Sequence, residues 1–173
     1  RRQRLQAEAR PLPVPVIVVG NITAGGTGKS PLTAWLSDYL AEQGWRPVIL
    51  SRGYGSDRPA DSPMVVTPDS DPVHAGDEPV MLAIQTGRPV VVHPRRLESA
   101  RLVLDQDLGN LLLCDDGLQH YYLDRDLELA VFDGARGIGN GAGLPVGPLR
   151  ELPERLREVR PPAPYRPIPT AMP

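Results

Sequence analysis

The sequence predicts an α/β fold, a mostly parallel sheet flanked by helices, and three observations predict it. Apolar runs of strand length alternate with segments of helical period, the pattern of βαβ units. A glycine-rich turn joins the first apolar run to the first helical segment. Further on, the apolar run Leu111–Cys114 stops on two aspartates, as strands do at the ligand-binding edge of an open α/β sheet.

The first strand is read over Val14–Gly20. The helix Ser30–Gln43 follows, with Leu32, Leu36, Tyr39 and Leu40 at helical spacing as its buried face and Gly44 as its stop. Further strands fall at Pro47–Ser51, Met64–Thr67, Pro89–His93, Leu111–Cys114 and Leu127–Phe132. Two weaker helices are read between them, Glu78–Gln85 and Arg95–Asp107, the second with Leu97, Ala100, Leu104 and Leu108 on one face. Asp57–Pro63 and Pro68–Pro72, rich in Pro, Asp and Ser, read as loops. From Gly134 to Pro148 the chain is glycine-rich with neither period, and a loop of that length in a compact domain is usually functional or disordered.

At 173 residues the chain is long enough for one domain with a real core. Its apolar runs fall far short of the ~18–20 residues that a membrane span needs. A net charge of −2 argues against a nucleic-acid partner, whose phosphates call for a basic surface. Cys114 is the only cysteine, which excludes an internal disulfide or a thiolate metal cage and fits a reducing compartment. The ends differ from the middle: the arginine-rich residues 1–13 read as the end of an amphipathic helix, and the proline-dense residues 160–173 as disordered or extended, leaving 14–159 as the folded domain.

The chemistry concentrates in the stretch VIVVGNITAGGTGKS, Val16 to Ser30. A strand, a glycine-rich turn and a helix start form the context in which a Gly-Lys-Ser sequence is a phosphate-binding P-loop. Thr23, Gly25, Gly26, Thr27, Gly28, Lys29 and Ser30 are its residues. Glycines let backbone N–H groups face phosphate oxygens, the helix N-terminus adds positive dipole, Lys29 reaches the β and γ phosphates, and the Ser30 hydroxyl can ligate Mg²⁺. Lys29 is the only lysine among 19 basic residues. A chain that otherwise uses arginine keeps an ammonium where a compact point charge belongs. Thr23 stands where the usual pattern has its first glycine, a change that costs little if φ there is negative.

Asp115 and Asp116, at the end of the Leu111–Cys114 strand, are candidates for holding the metal. In HAGDEPVML, Asp77 can cap a helix or accept a proton from an attacking hydroxyl. Arg52 and Tyr54 in SRGYG are either a turn at the same sheet edge or cleft residues. Arg95-Arg96 is either a phosphate clamp or a solvated helix start. His74, His93 and His120 are too scattered for a metal site, and His120 is the one placed near a nucleotide.

Taken in order and spacing, GNITAGGTGKSP, SRGYG, GDEP, DDGLQH followed by RD, and NGAGLPVGPLRE resemble the tetraacyldisaccharide 4'-kinase family of lipid A synthesis over roughly residues 14–152. The resemblance implies a P-loop kinase fold and ATP-dependent phosphorylation of the 4'-hydroxyl of a tetraacyl glucosamine disaccharide 1-phosphate. It places the protein peripherally at the cytoplasmic face of the bacterial inner membrane, with no stable protein partner. It assigns Asp77 as base beside Lys29, Ser30, Asp115, Asp116 and Glu151 to Mg²⁺ and nucleotide, and Arg52, Tyr54, Arg96, His120, Asn140 and Arg150 to the substrate cleft. Members of that family run to about twice this length, so an intact nucleotide site with impaired turnover, and a missing carboxyl-terminal domain, are expected. A partitioning-type P-loop ATPase switch is the alternative, weakened by Ala24 where such switches carry a lysine; an inactive fragment is another.

Overall fold

The computed structural model describes residues 11–57 and 61–159, so the predicted tail at 160–173 and most of the predicted amino-terminal helix end lie outside the described residues. The strands are β1 Val16–Gly20, β2 Pro47–Ser51, β3 Met64–Val66, β4 Val90–Val92, β5 Leu111–Cys114 and β6 Leu127–Ala130. The helices are α1 Lys29–Glu42, α2 Pro72–Ala75, α3 Asp77–Thr86 and α4 Arg96–Asp105, with a 3-10 helix at Pro153–Glu158. One sheet runs in the order β3-β4-β2-β5-β1-β6. All neighbours pair in parallel except β3, which runs against β4.

Every residue of β1, β2, β4 and β5 is buried, with no inside-outside alternation, because parallel strands are covered on both faces. On one face Ala34 of α1 and Val80, Leu82 and Ala83 of α3 pack with Ile17, Val19, Ile49 and Leu113. On the other, Ala100 and Val103 of α4 pack with Val18, Leu50 and Leu112, joined by Leu118, Leu123 and Leu149 from the loops. β6 closes the sheet beside β1 and is only half-buried.

The helices correct the sequence reading in detail. The deepest face of α1 is Ser30, Thr33, Ala34 and Ser37, while Leu32, Leu36 and Leu40 pack along its flanks. Tyr39 turns outward and stacks on Trp35, ring centroids 5.5 Å apart. Small side chains let the helix lie close to the sheet and bring the Ser30 and Thr33 hydroxyls against the end of β5. In α4 the buried face is likewise Arg96, Ser99, Ala100 and Val103, with Leu97 beside it. Helix α2, which is too short to show a period, starts within the stretch read as a loop; the Asp71 carboxylate caps it by accepting from the Val73 N–H at 2.9 Å.

Parallel strands share one carboxyl edge, and the loops leaving β1, β2, β4, β5 and β6 all gather there. The glycine-rich stretch after β6 folds back onto the loop after β1. Ala24 N–H donates to the Pro148 carbonyl at 2.7 Å, and Arg150 N–H to the Ile22 carbonyl at 2.6 Å. Among the described residues no helix is long and apolar enough to cross a membrane.

Candidate active site

The turn from β1 to α1 has the backbone a phosphate cradle needs. Gly25 and Gly28 take φ of 103° and 79°, in the left-handed region, and Gly28 is the N-cap of α1. Thr23 keeps a negative φ, because outside glycine the left-handed described residues are Asp107 and Asp116. Its backbone bridges to Leu149 instead. Buried Asn21 ties the loop together: its Nδ2 donates to the Thr23 hydroxyl at 3.2 Å and the Thr27 hydroxyl at 2.9 Å.

At the head of α1 the Lys29 ammonium lies 3.6 Å from the Asp116 carboxylate. Arg150 reaches the same carboxylate at 2.8 and 3.0 Å. Asp116 thus holds two cations at the mouth of the loop, on a backbone of φ 50°.

Asp115 points the other way, into the protein. Its two oxygens accept from the Thr33 hydroxyl at 3.0 Å and the Ser30 hydroxyl at 3.3 Å, and Ser30 also donates to Glu78. Burial, with Glu78 next in effect, pushes the Asp115 carboxyl up to about 6. Among the described residues no three His, Cys, Asp or Glu side chains gather as a metal cluster. The all-oxygen set of Ser30, Glu78 and Asp115 nevertheless suits Mg²⁺, which commonly takes one or two carboxylates and completes its shell with phosphate and water. Glu151 lies apart from this set, its carboxylate accepting from Gln119 Nε2 at 2.7 Å and from the Tyr121 hydroxyl, with Arg155 at 3.7 Å. Gln119 also donates to the Asn21 carbonyl at 3.0 Å, which locks this cluster to the base of the loop.

Asp77 opens α3 but does not cap it. Gly76 occupies the N-cap with no side-chain bond, so the capping alternative falls away. The Asp77 carboxylate is exposed and makes no hydrogen bond or ion pair among the described residues. Arg52 and Tyr54 are also exposed and unpaired, on the wall of a cleft between the loops after β2 and β4. Arg96 is neither solvated nor turned to the cleft. It is 1% exposed and donates to the main-chain carbonyls of His93 at 3.0 Å and Asp115 at 3.1 Å, so it fixes two edge loops. His120 faces the Tyr122 hydroxyl at 2.8 Å, and burial with the charges of Arg96, Arg52 and Arg125 lowers it to about 4. Asn140 shapes the glycine loop, accepting from Ala142 N–H at 3.1 Å and donating to the Val146 carbonyl at 3.2 Å.

Four residues at this site escape the sequence reading: Glu78, Thr33, Gln119 and Tyr121. Glu78 and Gln119 sit inside quoted motifs, GDEP and DDGLQH, where their neighbours carried the stronger signal.

A left-handed glycine turn, a lone lysine at a helix start and a hydroxyl between two carboxylates, all on the carboxyl edge of a parallel sheet, define a nucleotide-binding domain of the P-loop NTPase type. Comparison with known proteins narrows the class: the model of the tetraacyldisaccharide-1-P 4'-kinase family matches residues 1–161, and the chain belongs to that family. It is 57% identical over 148 residues to a tetraacyldisaccharide 4'-kinase of Alkalilimnicola ehrlichii, covering 86% of this chain and 44% of that protein. With the Pseudomonas paraeruginosa protein of the same name the identity is 52% over 147 residues, 85% of this chain and 44% of that one. The crystal structure of Aquifex aeolicus LpxK in complex with ATP superposes with a TM-score of 0.80 at 32% identity, over 91% of this chain and 51% of that chain. The chain therefore spans less than half the length of the curated relatives it matches.

Proposed function

We propose that this chain carries the ATP-binding and hydroxyl-activating part of a lipid kinase of lipid A biosynthesis. The reaction moves the γ-phosphate of ATP to the 4'-hydroxyl of a tetraacyl glucosamine disaccharide 1-phosphate, peripherally at the cytoplasmic face of a bacterial inner membrane. The observation that carries this reading is the adjacency of unpaired Asp77 to Glu78, whose carboxylate sits on the P-loop serine.

Phosphoryl transfer asks a protein to clamp phosphates, neutralise charge and aim a hydroxyl. Lys29 and Arg150, held at the loop mouth by Asp116, exchange that carboxylate for phosphate oxygens. Ser30, Glu78 and Asp115 would hold Mg²⁺, which would supply positive charge against the negative charge of the phosphates. Asp77 accepts the proton of the acceptor hydroxyl as its oxygen bonds to the γ-phosphorus and the bond to the β–γ bridging oxygen breaks, leaving ADP. Gln119 and Glu151 act from behind, holding the base of the loop and the start of the 3-10 helix in register.

Calorimetric titration with Mg-ATP of this chain and of Lys29→Ala tests the reading. Loss of a charge-assisted contact predicts weakening of about tenfold or more in the variant. Equal affinity in both proteins, or no binding by either, would remove the phosphate cradle and the kinase with it.

A further inference from the structure

Beneath the phosphate loop lies a buried ionic cluster that the proposed transfer does not use. Glu128 stands within β6, in register with Val18 of β1. Its carboxylate accepts from Arg125 Nη1 at 2.8 Å and from Arg155 Nη2. Arg125, Glu128 and Arg155 are 5%, 4% and 3% exposed, so three charges have been taken out of water together. Apolar side chains of similar volume often stabilise a fold as well as such a triad or better. Stability alone is therefore a poor account of it, and the segments that its two arginines hold give a better one.

Arg125 donates to the main-chain carbonyls of Leu118 and Leu123, each at 3.2 Å, and of His120. It thereby pins the loop that leaves β5 with Asp115 and Asp116. Arg155 belongs to the 3-10 helix that follows Arg150 and Glu151, and its Nε lies 3.7 Å from the Glu151 carboxylate. The Tyr121 ring meets both guanidiniums, 5.8 Å from Arg125 and 5.7 Å from Arg155, and its hydroxyl donates to Glu151. The two segments held in this way meet at the mouth of the phosphate loop, where Arg150 of one reaches Asp116 of the other at 2.8 Å. Below that contact, Gln119 joins Glu151 to the Asn21 carbonyl, and Asn21 holds Thr23 and Thr27.

We propose that Glu128 is a positioning residue of the nucleotide site. Through Arg125 and Arg155 one buried carboxylate fixes the loop after β5 to the 3-10 helix, and so sets Arg150 against Asp116 at the loop mouth. The proposal rests on the nucleotide-binding reading above and assigns that site a support outside its own motifs.

The test is a double-mutant cycle on the chain, read by calorimetric affinity for Mg-ATP. Glu128→Gln keeps size and an acceptor oxygen but removes the charge. Arg155→Met cuts the same link from the 3-10 helix and leaves β6 intact, so it decides the matter should Glu128→Gln not fold. Each is expected to weaken Mg-ATP binding about tenfold. In nucleotide-free chain the amides of Arg150 and Glu151 should shift, while those of β2 and β4 keep their wild-type positions. With Arg150→Met already present, the further loss should shrink to about twofold, because the group being positioned is gone. Wild-type affinity in folded Arg155→Met, or an equal loss with and without Arg150→Met, overturns the proposal. If the wild-type chain binds Mg-ATP, Lys29→Ala does not and Arg155→Met is unchanged, this inference alone is lost. If the wild-type chain does not bind, the kinase reading falls with it.

Discussion

Two regions of one sheet edge treat charge in opposite ways. Behind β1 and β5 each acidic group has partners: Asp115 has Ser30 and Thr33, Asp116 has Lys29 and Arg150, and Glu151 has Gln119, Tyr121 and Arg155. Behind β2 and β4 three candidate groups are bare, Asp77, Arg52 and Tyr54 being exposed and unpaired among the described residues, although His74 there is held by Asp57. The first region is assembled before any ligand arrives, and holds its groups in place by setting them against one another. The second waits for a molecule to complete it. On the proposed kinase reading, that division suits a nucleotide that is the same in every turnover and an acceptor that must be admitted and aimed.

Asp77→Asn is the largest expected break in the comparison. On the proposed base role it removes proton acceptance on the bare side, and it breaks no bond on the assembled side. A general base is typically worth about 10²–10⁴ in rate. Transfer in a preparation that phosphorylates the lipid disaccharide should fall by that factor, while calorimetric affinity for Mg-ATP stays within about twofold, since Asp77 has no partner whose loss could propagate. A large loss of ATP affinity would put Asp77 in the nucleotide site and dissolve the division.

The assembled side should show its cost in stability. An acid whose folded-state value is raised binds its proton more tightly when folded, so stability declines as pH rises through the interval between the two values. For Asp115 that interval runs from 3.8 to about 6, and above it the penalty is constant. The difference corresponds to about 3 kcal/mol at neutral pH. Asp115→Asn, melted in chelator, should therefore be more stable than wild type at pH 7, by about 1–3 kcal/mol after the altered contacts to Ser30 and Thr33 are counted. The gain should shrink toward zero near pH 4, and Mg-dependent ATP binding should be lost. A variant less stable at pH 7 would mean that its bonds to Ser30 and Thr33 outweigh the burial of its charge.

The assembled side was also the more legible one in the sequence. A glycine turn between a strand and a helix is a local pattern, and Lys29, Ser30, Asp115 and Asp116 could be placed from neighbours within a few residues. All six strand positions and the parallel majority followed from apolar runs alone; the antiparallel direction of β3 did not, because it depends on pairing and not on composition. Leucine spacing misread the inner face of α1, because closeness to the sheet selects Ser30, Thr33 and Ala34 over larger side chains. Glu78 was hidden for a different reason: an acidic pair at a helix start is ordinary dipole chemistry, and only the approach of α3 to α1 turns it into a ligand candidate. The glycine loop gave no period at all, so its return to Ala24 and Ile22 could not be foreseen.

The smallest effect links the two regions through their histidines. His120, on the assembled side, is lowered to about 4 by burial and by Arg96, Arg52 and Arg125, while His74, on the bare side, is raised above 6.5 by Asp57. In a proton NMR titration the two should separate, His74 gaining its proton above pH 6.5 and His120 remaining neutral down to about pH 4. Because the folded value of His120 lies below the unfolded one, its share of stability is full above pH 6.5 and is lost as pH falls toward 4. Arg52, in the loop after β2, is one of the charges that depress His120. Arg52→Gln should therefore raise the His120 midpoint by a fraction of a pH unit, less than the effect of burial, which is the first cause. A midpoint that does not move would uncouple the guanidinium from the nucleotide side.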